Sequence, residues 1–464
     1  MSKNERPADT LGMSVEEMKA LGYRMVDMVV AHLANRSEET AAKVGSLADL
    51  TARLGGPVPR TGSDPVAAMA VLEESVLAYM QHGDHPRYFA RVPGPSSYAG
   101  ILGDWLATGY NAIASSWAGG SGTAVLELVV LDWIRELLGL PTGTSGILAS
   151  GGSMANFTAF AACFAVKGRG AVYLNDQTHA SLKRNIASLG IPPEDMRILK
   201  TGADLKFDMG VLAEAIAADR KSGKKPVLVI ANGGTTNTGT ADPLHAVADL
   251  CAQHDLWMHV DGAYGAPAAL TAKGKAHLAG MERAHSLVLD PHKWLFQPYD
   301  CGVLLVREAG ALEKAFAMYP EYLKDVMGRQ GEIDLFNRSL ELTRRARALK
   351  IWLMFKTHGV ERIVAAISRG IELAEFAEAE ILRHRDTWEL TTPAQIGVVT
   401  FAFRGAAEKT HAAMVDAITA SGYATLTSTV IGGRTALHLC TLNPLTTEAD
   451  ISETLARLAA IGRG

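Results

Sequence analysis

Between residues 147 and 294, five short apolar runs each stop at a cluster of glycine, hydroxyl-bearing or ionisable residues: Ile147-Leu148, Ala171–Leu174, Pro226–Ile230, Trp257–Val260 and Ser286–Leu289. Helical stretches such as Phe157 to Val166 and Val247 to His254 lie between them. A chain that alternates buried strands with helices has few folds open to it, because the strands must pair side by side with helices over both faces. In such α/β sheets ligands bind at the carboxyl ends of the strands. The spacing therefore predicts one composite site rather than five unrelated loops. A further run, Cys301–Val306, reads as another buried strand, and the alternating texture begins near Gly122.

The flanking segments read differently. Ser14-Val-Glu-Glu17 has the spacing of a capping box, and Met18, Leu21, Met25, Val29 and Leu33 follow on one helical stripe. Residues 36–97 are dotted with Pro and Gly and show little periodicity of their own, so the stripe is expected to be covered by another subunit. A helical stretch from Leu342 to Thr357 leads out of the α/β region into about a hundred residues that again mix helix and strand. The expected division is a helical arm over 1–97, a large domain over 98–357 and a small C-terminal α/β domain over 358–464.

Composition excludes several function classes. The 464 residues are 48% apolar and 20% charged, with a net charge of −4, which gives no electrostatic reason to expect nucleic acid or an anionic membrane as partner. Cys163, Cys251, Cys301 and Cys440 form no C-x-x-C pair and read as reduced core thiols, so no metal site is expected. The start, Met1 to Pro7, is polar and mixes acid with base, and no uncharged apolar run is long enough to span a bilayer; a soluble, cytoplasmic protein is expected. No G-x-G-x-x-G follows a strand and no G-x-x-x-x-G-K-[ST] occurs, which disfavours dinucleotide and nucleoside-triphosphate sites.

Each polar cluster suggests chemistry and has a plainer reading beside it. Ser150-Gly-Gly-Ser-Met-Ala-Asn156 opens a helix and suits an anion or monophosphate, although glycine-rich helix starts are also ordinary turns. Asp176-Gln-Thr-His179 puts an imidazole at the sheet edge, where it could equally be structural. Gly233-Gly-Thr-Thr-Asn-Thr-Gly-Thr240 is a hydroxyl-rich loop or simply a turn. His259-Val-Asp261-Gly-Ala-Tyr264 ends a strand with a carboxylate that needs a cation or several donors. Asp290-Pro-His292-Lys293-Trp294 sets a lysine beside a histidine at an apolar strand end, where desolvation and cationic neighbours are expected to lower its pKa into the range of an amine nucleophile.

Taken together, His259-Val-Asp261-Gly-Ala-Tyr264 followed by Pro291-His292-Lys293-Trp294 resembles the signature of the pyridoxal-phosphate-dependent group II decarboxylases. His85-Pro-Arg-Tyr-Phe89, Ser116-Trp117, Leu126-Glu127, Leu131-Asp-Trp133, Gly151-Gly-Ser153, Asp176-Gln-Thr-His179, Arg344-Arg345 with Leu349-Lys350 and Asn443-Pro444 stand in the family's order over nearly the whole chain. The resemblance implies a fold type I, aspartate-aminotransferase-like α/β architecture: a mixed, mostly parallel sheet, a small C-terminal domain and an N-terminal arm wrapped around the partner of a homodimer. It implies that the active site lies at the subunit interface of that homodimer, with pyridoxal 5′-phosphate as cofactor, an aldimine at Lys293, Asp261 on the pyridine nitrogen and His179 stacked on the ring. Thr236 would meet the other face or the phenolic edge, Gly152 and Ser153 the phosphate, and Ala263 would also border the coenzyme. His292 would contact the phosphate or handle a proton. The implied activity is decarboxylation of an L-amino acid through a quinonoid intermediate.

Two departures shape the substrate expectation. Where the aromatic-specific branch holds the substrate ring with aromatic side chains, an ungapped match places Arg91, Val92 and Ser115. With Arg91 and Ser115 read as substrate residues, Arg91 suits a side-chain carboxylate, or else serves as a structural ion-pair partner, and a large aromatic substrate is not expected. Where the family carries a loop tyrosine that protonates Cα, the match gives Leu335 with Phe336 beside it, Tyr319 and Tyr322 lying upstream. That leaves an aldehyde synthase, an aminotransferase and a non-catalytic coenzyme-binding homologue as alternatives to a simple decarboxylase.

Overall fold

The structure, a computed structural model, describes residues 11–319, 321 and 331–464; Met1 to Pro7 and Tyr322, read above, lie outside the described residues. Seven strands build the large sheet: β1 Ser145–Ala149, β2 Ala171–Asn175, β3 Met196–Leu199, β4 Pro226–Asn232, β5 Trp257–Asp261, β6 Ser286–Leu289 and β7 Gly302–Val306. Their order is β1-β7-β6-β5-β4-β2-β3. Only β7 runs against its neighbours, β1 and β6. The link from Asp290 to Cys301 holds one four-residue helix, Pro291–Trp294, and β7 turns back beside β6 rather than crossing over.

Every residue of β2, β4, β5, β6 and β7 is buried, which is why these strands read as unbroken apolar runs. β3 escapes such a reading because it is an edge strand that carries Arg197 and leaves Ile198 exposed. The four cysteines are free and buried. No helix among the described residues is long and apolar enough to cross a membrane.

Three expectations about helices are corrected or filled in. The helix leaving the large sheet starts at Ala348, not Leu342. Upstream of it the backbone is held by a neighbouring segment: Ala114 N–H donates to the Arg344 carbonyl, Ala346 N–H to the Ala112 carbonyl, and Arg344 N–H to the Ser115 hydroxyl. The buried Arg344 guanidinium donates to the carbonyls of Ala114 and Leu148 and to Glu127, so tertiary contacts override the local helical pattern. The helix Ala348–Arg383 breaks at Gly359, whose φ of +70° suits glycine. Residues 36–97, which show little periodicity, nevertheless form short helices at Leu47–Leu54 and Pro65–Leu72. The first helix, Val15–Asn35, carries the expected capping box between Ser14 and Glu17, and none of its residues is buried in this chain.

Beyond Gly359, β8 Trp388–Gln395, β9 Val398–Phe403, β10 Thr427–Ile431 and β11 Arg434–Cys440 form an antiparallel sheet in the order β10-β11-β9-β8. Phe89, from the segment ahead of the large sheet, is fully buried in this unit's core with Trp388, Phe401 and Leu437. Its N–H donates to the Thr425 carbonyl and its carbonyl accepts from Cys440 N–H.

Candidate active site

The carboxyl ends of the parallel strands meet at a cavity of about 320 Å³. Gly152, Ser153, His179, Thr236, Asp261, Ala263, His292 and Lys293 all line it, so the structure brings together the five clusters that are far apart in sequence. Arg91 and Ser115 do not line it. Arg91 is exposed at φ +56°, with its carbonyl accepting from His438 Nε2 at 2.9 Å. Ser115 is buried, donating its hydroxyl to the Leu342 carbonyl and accepting from Arg344 N–H.

One wall is a cradle that could hold an anion. The helix Gly152–Lys167 starts after Gly151 with no side-chain cap, which leaves the N–H groups of its first turn for a ligand. A Cβ on Gly152 would lie 2.9 Å from Asp290 Oδ2 and 3.3 Å from the Ala263 methyl, so a side chain there would displace the Asp290 carboxylate. Asn185 fixes the cradle from outside by donating to the Ser153 carbonyl at 2.7 Å. The threonine loop closes another side: Thr235, Thr238 and Thr240 link their hydroxyls at 2.9 and 2.8 Å, and Thr236 faces the cavity.

The ionisable groups sit on the strand ends. Asp261 closes β5, and its Oδ1 accepts from Ala263 N–H at 3.2 Å. Lys293 Nζ lies 3.0 Å from Asp290 Oδ2. Burial alone would pull the Lys293 ammonium down, but the Asp290 and Asp261 carboxylates outweigh it and hold its pKa above the usual lysine value. This corrects the expected lowering: the sequence places His292 beside the lysine, whereas the fold adds two carboxylates. Asp290 is the residue whose role sequence reasoning missed. It is 2% exposed, and its Oδ1 has no partner among the described residues.

His292 accepts the Cys301 N–H at Nδ1, which places its own proton on Nε2, 3.5 Å from Asp290. Burial lowers its pKa, so the ring is neutral near pH 7. His179 caps the helix Ala180–Ser188, its Nδ1 2.8 Å from the Ser181 hydroxyl. The backbone of Lys293 is itself pressed from behind: a Cβ on Gly94 would fall 1.5 Å from the Lys293 carbonyl oxygen.

Two buried networks hold the lining residues from behind. Trp257 donates to Ser286 Oγ at 2.8 Å, which in turn lies 2.8 Å from His259 Nδ1; His259 Nε2 lies 2.7 Å from Asn156 Oδ1. Burial lowers the His259 pKa to about 4, and a neutral ring that accepts from Ser286 and donates to Asn156 satisfies the whole chain. The second network centres on Asp242, which accepts from the backbone of Asn232 and Phe207 at 2.7 and 2.8 Å and from both Asn175 and Asn232 side chains. Burial raises this carboxyl to about 6. Nothing in the local sequence around Asp242 signals this role, since its partners come from three other segments. Asp242→Asn would turn an amide NH₂ toward these donors and is expected to lower unfolding stability by roughly 2–3 kcal/mol, seen as a lower denaturant midpoint. An unchanged midpoint would show that the network carries little stability.

The profile of the family described as the pyridoxal-dependent decarboxylase conserved domain matches residues 63–404. An aromatic-L-amino-acid decarboxylase of Bacillus atrophaeus is 40% identical, over 98% of this chain and 97% of its own. Tryptophan decarboxylase 1 of Oryza sativa subsp. japonica is 32% identical, over 85% of this chain and 84% of its own. The crystal structure of Oryza sativa TDC with PLP and tryptamine superposes with a TM-score of 0.92 at 27% identity, covering 97% of this chain and 98% of that one. Likeness on this scale reaches past the fold to the chemistry: the chain belongs to the pyridoxal-phosphate-dependent group II decarboxylases of fold type I, and is a carboxy-lyase that uses pyridoxal phosphate.

Proposed function

We propose that the chain decarboxylates an aromatic L-amino acid to its amine, with Lys293 as the residue that bonds the coenzyme. The observation that carries the assignment of residues is the convergence of Lys293, Asp261 and the Gly152–Ser153 cradle on one cavity. The aromatic class is favoured by relatives whose names specify aromatic-L-amino-acid and tryptophan decarboxylation. The expectation against a large aromatic substrate rested on Arg91 and Ser115, and neither lines the cavity.

When bound, pyridoxal phosphate supplies an electron sink for the pair released at the substrate's Cα. In this reading the uncapped N–H groups of the helix Gly152–Lys167, with Ser153, bind its phosphate. Asp261 holds a proton on the ring nitrogen. His179 and Thr236 would flank the ring, and Ala263 would border it. Neutral His292 keeps its Nε2–H toward Asp290 at the edge of the site. Held at several separate points, the ring would be fixed in orientation relative to the substrate's Cα bonds.

The same reading makes the protein a homodimer. Met18, Tyr23 and Met25 on the first helix are 54%, 68% and 49% exposed, an apolar face that a second copy would cover. The deciding experiment incubates the purified protein with tryptophan, tyrosine, phenylalanine and glutamate and measures carbon dioxide and organic product. Amine and carbon dioxide in equal amounts from an aromatic amino acid are expected; release from glutamate alone would overturn the aromatic assignment.

A second reading is an aldehyde synthase. It is favoured by Leu335 and Phe336, both buried, at the position where the resemblance implies a proton-donating tyrosine. Oxygen uptake with aldehyde as product would select it.

A further inference from the structure

Resting on the decarboxylase reading, we propose that Tyr299 is the acid that delivers the proton to the substrate's Cα after carbon dioxide leaves. Tyr264 lines the cavity, Tyr299 packs against His292, which lines it, and Tyr88 interacts with Tyr299. Tyr264 is buried, its ring stacks on Trp294, and its hydroxyl donates to the Ile396 carbonyl. Tyr88 donates to Gln81 Oε1 at 3.2 Å. Both protons are committed. Of these three, Tyr299 is the one whose hydroxyl has no hydrogen-bond partner among the described residues.

Its position suits the task. The Tyr299 ring rests against the His292 ring, with centroids 4.8 Å apart and an interplanar angle of 48°. His292 lines the cavity and is followed by Lys293. The phenol also lies close enough to interact electrostatically with Lys293. The imidazoles are less suited. His179 has Nδ1 tied to Ser181, and His292 is neutral with its remaining proton facing Asp290. His292 thus acts as a positioning residue that sets the phenol at the mouth of the site.

The step balances without a further reagent. The bond from Cα to the carboxylate breaks and carbon dioxide departs. The electron pair left at Cα takes the Tyr299 proton and forms a C–H bond. The phenolate, 67% exposed, recovers its proton from water.

Tyr299→Phe keeps the ring and removes the proton. In the variant, amine formation is expected to fall by about 10²-fold. Carbon dioxide release should fall less than amine, and in air the shortfall should appear as aldehyde with oxygen uptake. Two readouts that need no turnover separate this role from a structural one. Pyridoxal phosphate, titrated into the apoprotein by fluorescence, should bind within about twofold of wild type, and ultraviolet titration should show one fewer ionising phenol. Wild-type amine yield and rate in Tyr299→Phe would overturn the proposal, as would coenzyme binding lost in proportion to activity. A wild type that makes aldehyde rather than amine would also overturn it. A wild type that releases no carbon dioxide from any amino acid is a different failure, which removes the decarboxylase reading and this inference with it.

Discussion

Lys293→Ala is expected to yield a protein that holds no covalently bonded coenzyme and decarboxylates about 10⁴-fold more slowly, or less. Among the described residues, Lys293 is the only lysine lining the cavity, so no neighbouring described amine can take its place. The check is borohydride reduction of the holoprotein followed by peptide mapping. Wild type should carry the label at Lys293, and the alanine variant should carry none. The Gly152–Ser153 cradle and Asp261 remain in the variant, so noncovalent coenzyme binding should persist at reduced affinity. Loss of label without loss of all binding separates a missing bond from a collapsed site. A single labelled lysine elsewhere in Lys293→Ala would remove the assignment.

For Asp261→Asn, activity is expected to drop by several orders of magnitude while coenzyme binding weakens much less. The two side chains have nearly the same shape, and asparagine keeps an oxygen for the Ala263 N–H now held at 3.2 Å. What is lost is charge. A carboxylate at the end of a fully buried strand keeps a protonated ring nitrogen cationic, and a neutral amide does not. Absorbance titration of coenzyme binding, run beside turnover, distinguishes the two effects. Near-wild-type turnover would refute the role of Asp261.

Much of this site is legible in the amino-acid order, for a physical reason. β2, β4, β5, β6 and β7 are buried on both faces, so their side chains are apolar almost without interruption, and their ends stand out as abrupt changes to glycine, hydroxyl and charge. The missed features depend on groups brought from elsewhere. Arg344 holds residues 342–347 out of the helix that their pattern suggests. The Lys293 pKa moves opposite to the expected direction because Asp290 and Asp261 outweigh burial, and their nearness is a property of the folded strand ends. Asp242 joins Asn175, Phe207 and Asn232, residues with no local relation to one another. Arg91 and Ser115 were placed by ungapped matching, which carries no information about which side chains reach a cavity.

The segment from Phe89 to Gly94 is a tether of fixed length. One end is hydrogen-bonded into the small antiparallel sheet region through Thr425 and Cys440, and the other lies so close behind the Lys293 carbonyl that no side chain fits between. A chain extends at most about 3.5 Å per residue, so these few residues allow little slack. The small unit therefore cannot swing away from the large sheet without pulling on the peptide that carries the lysine. Inserting or deleting a residue here would change the register between the two units, whereas in an exposed turn it would be absorbed. The distance between the two units is in this sense written into the covalent chain.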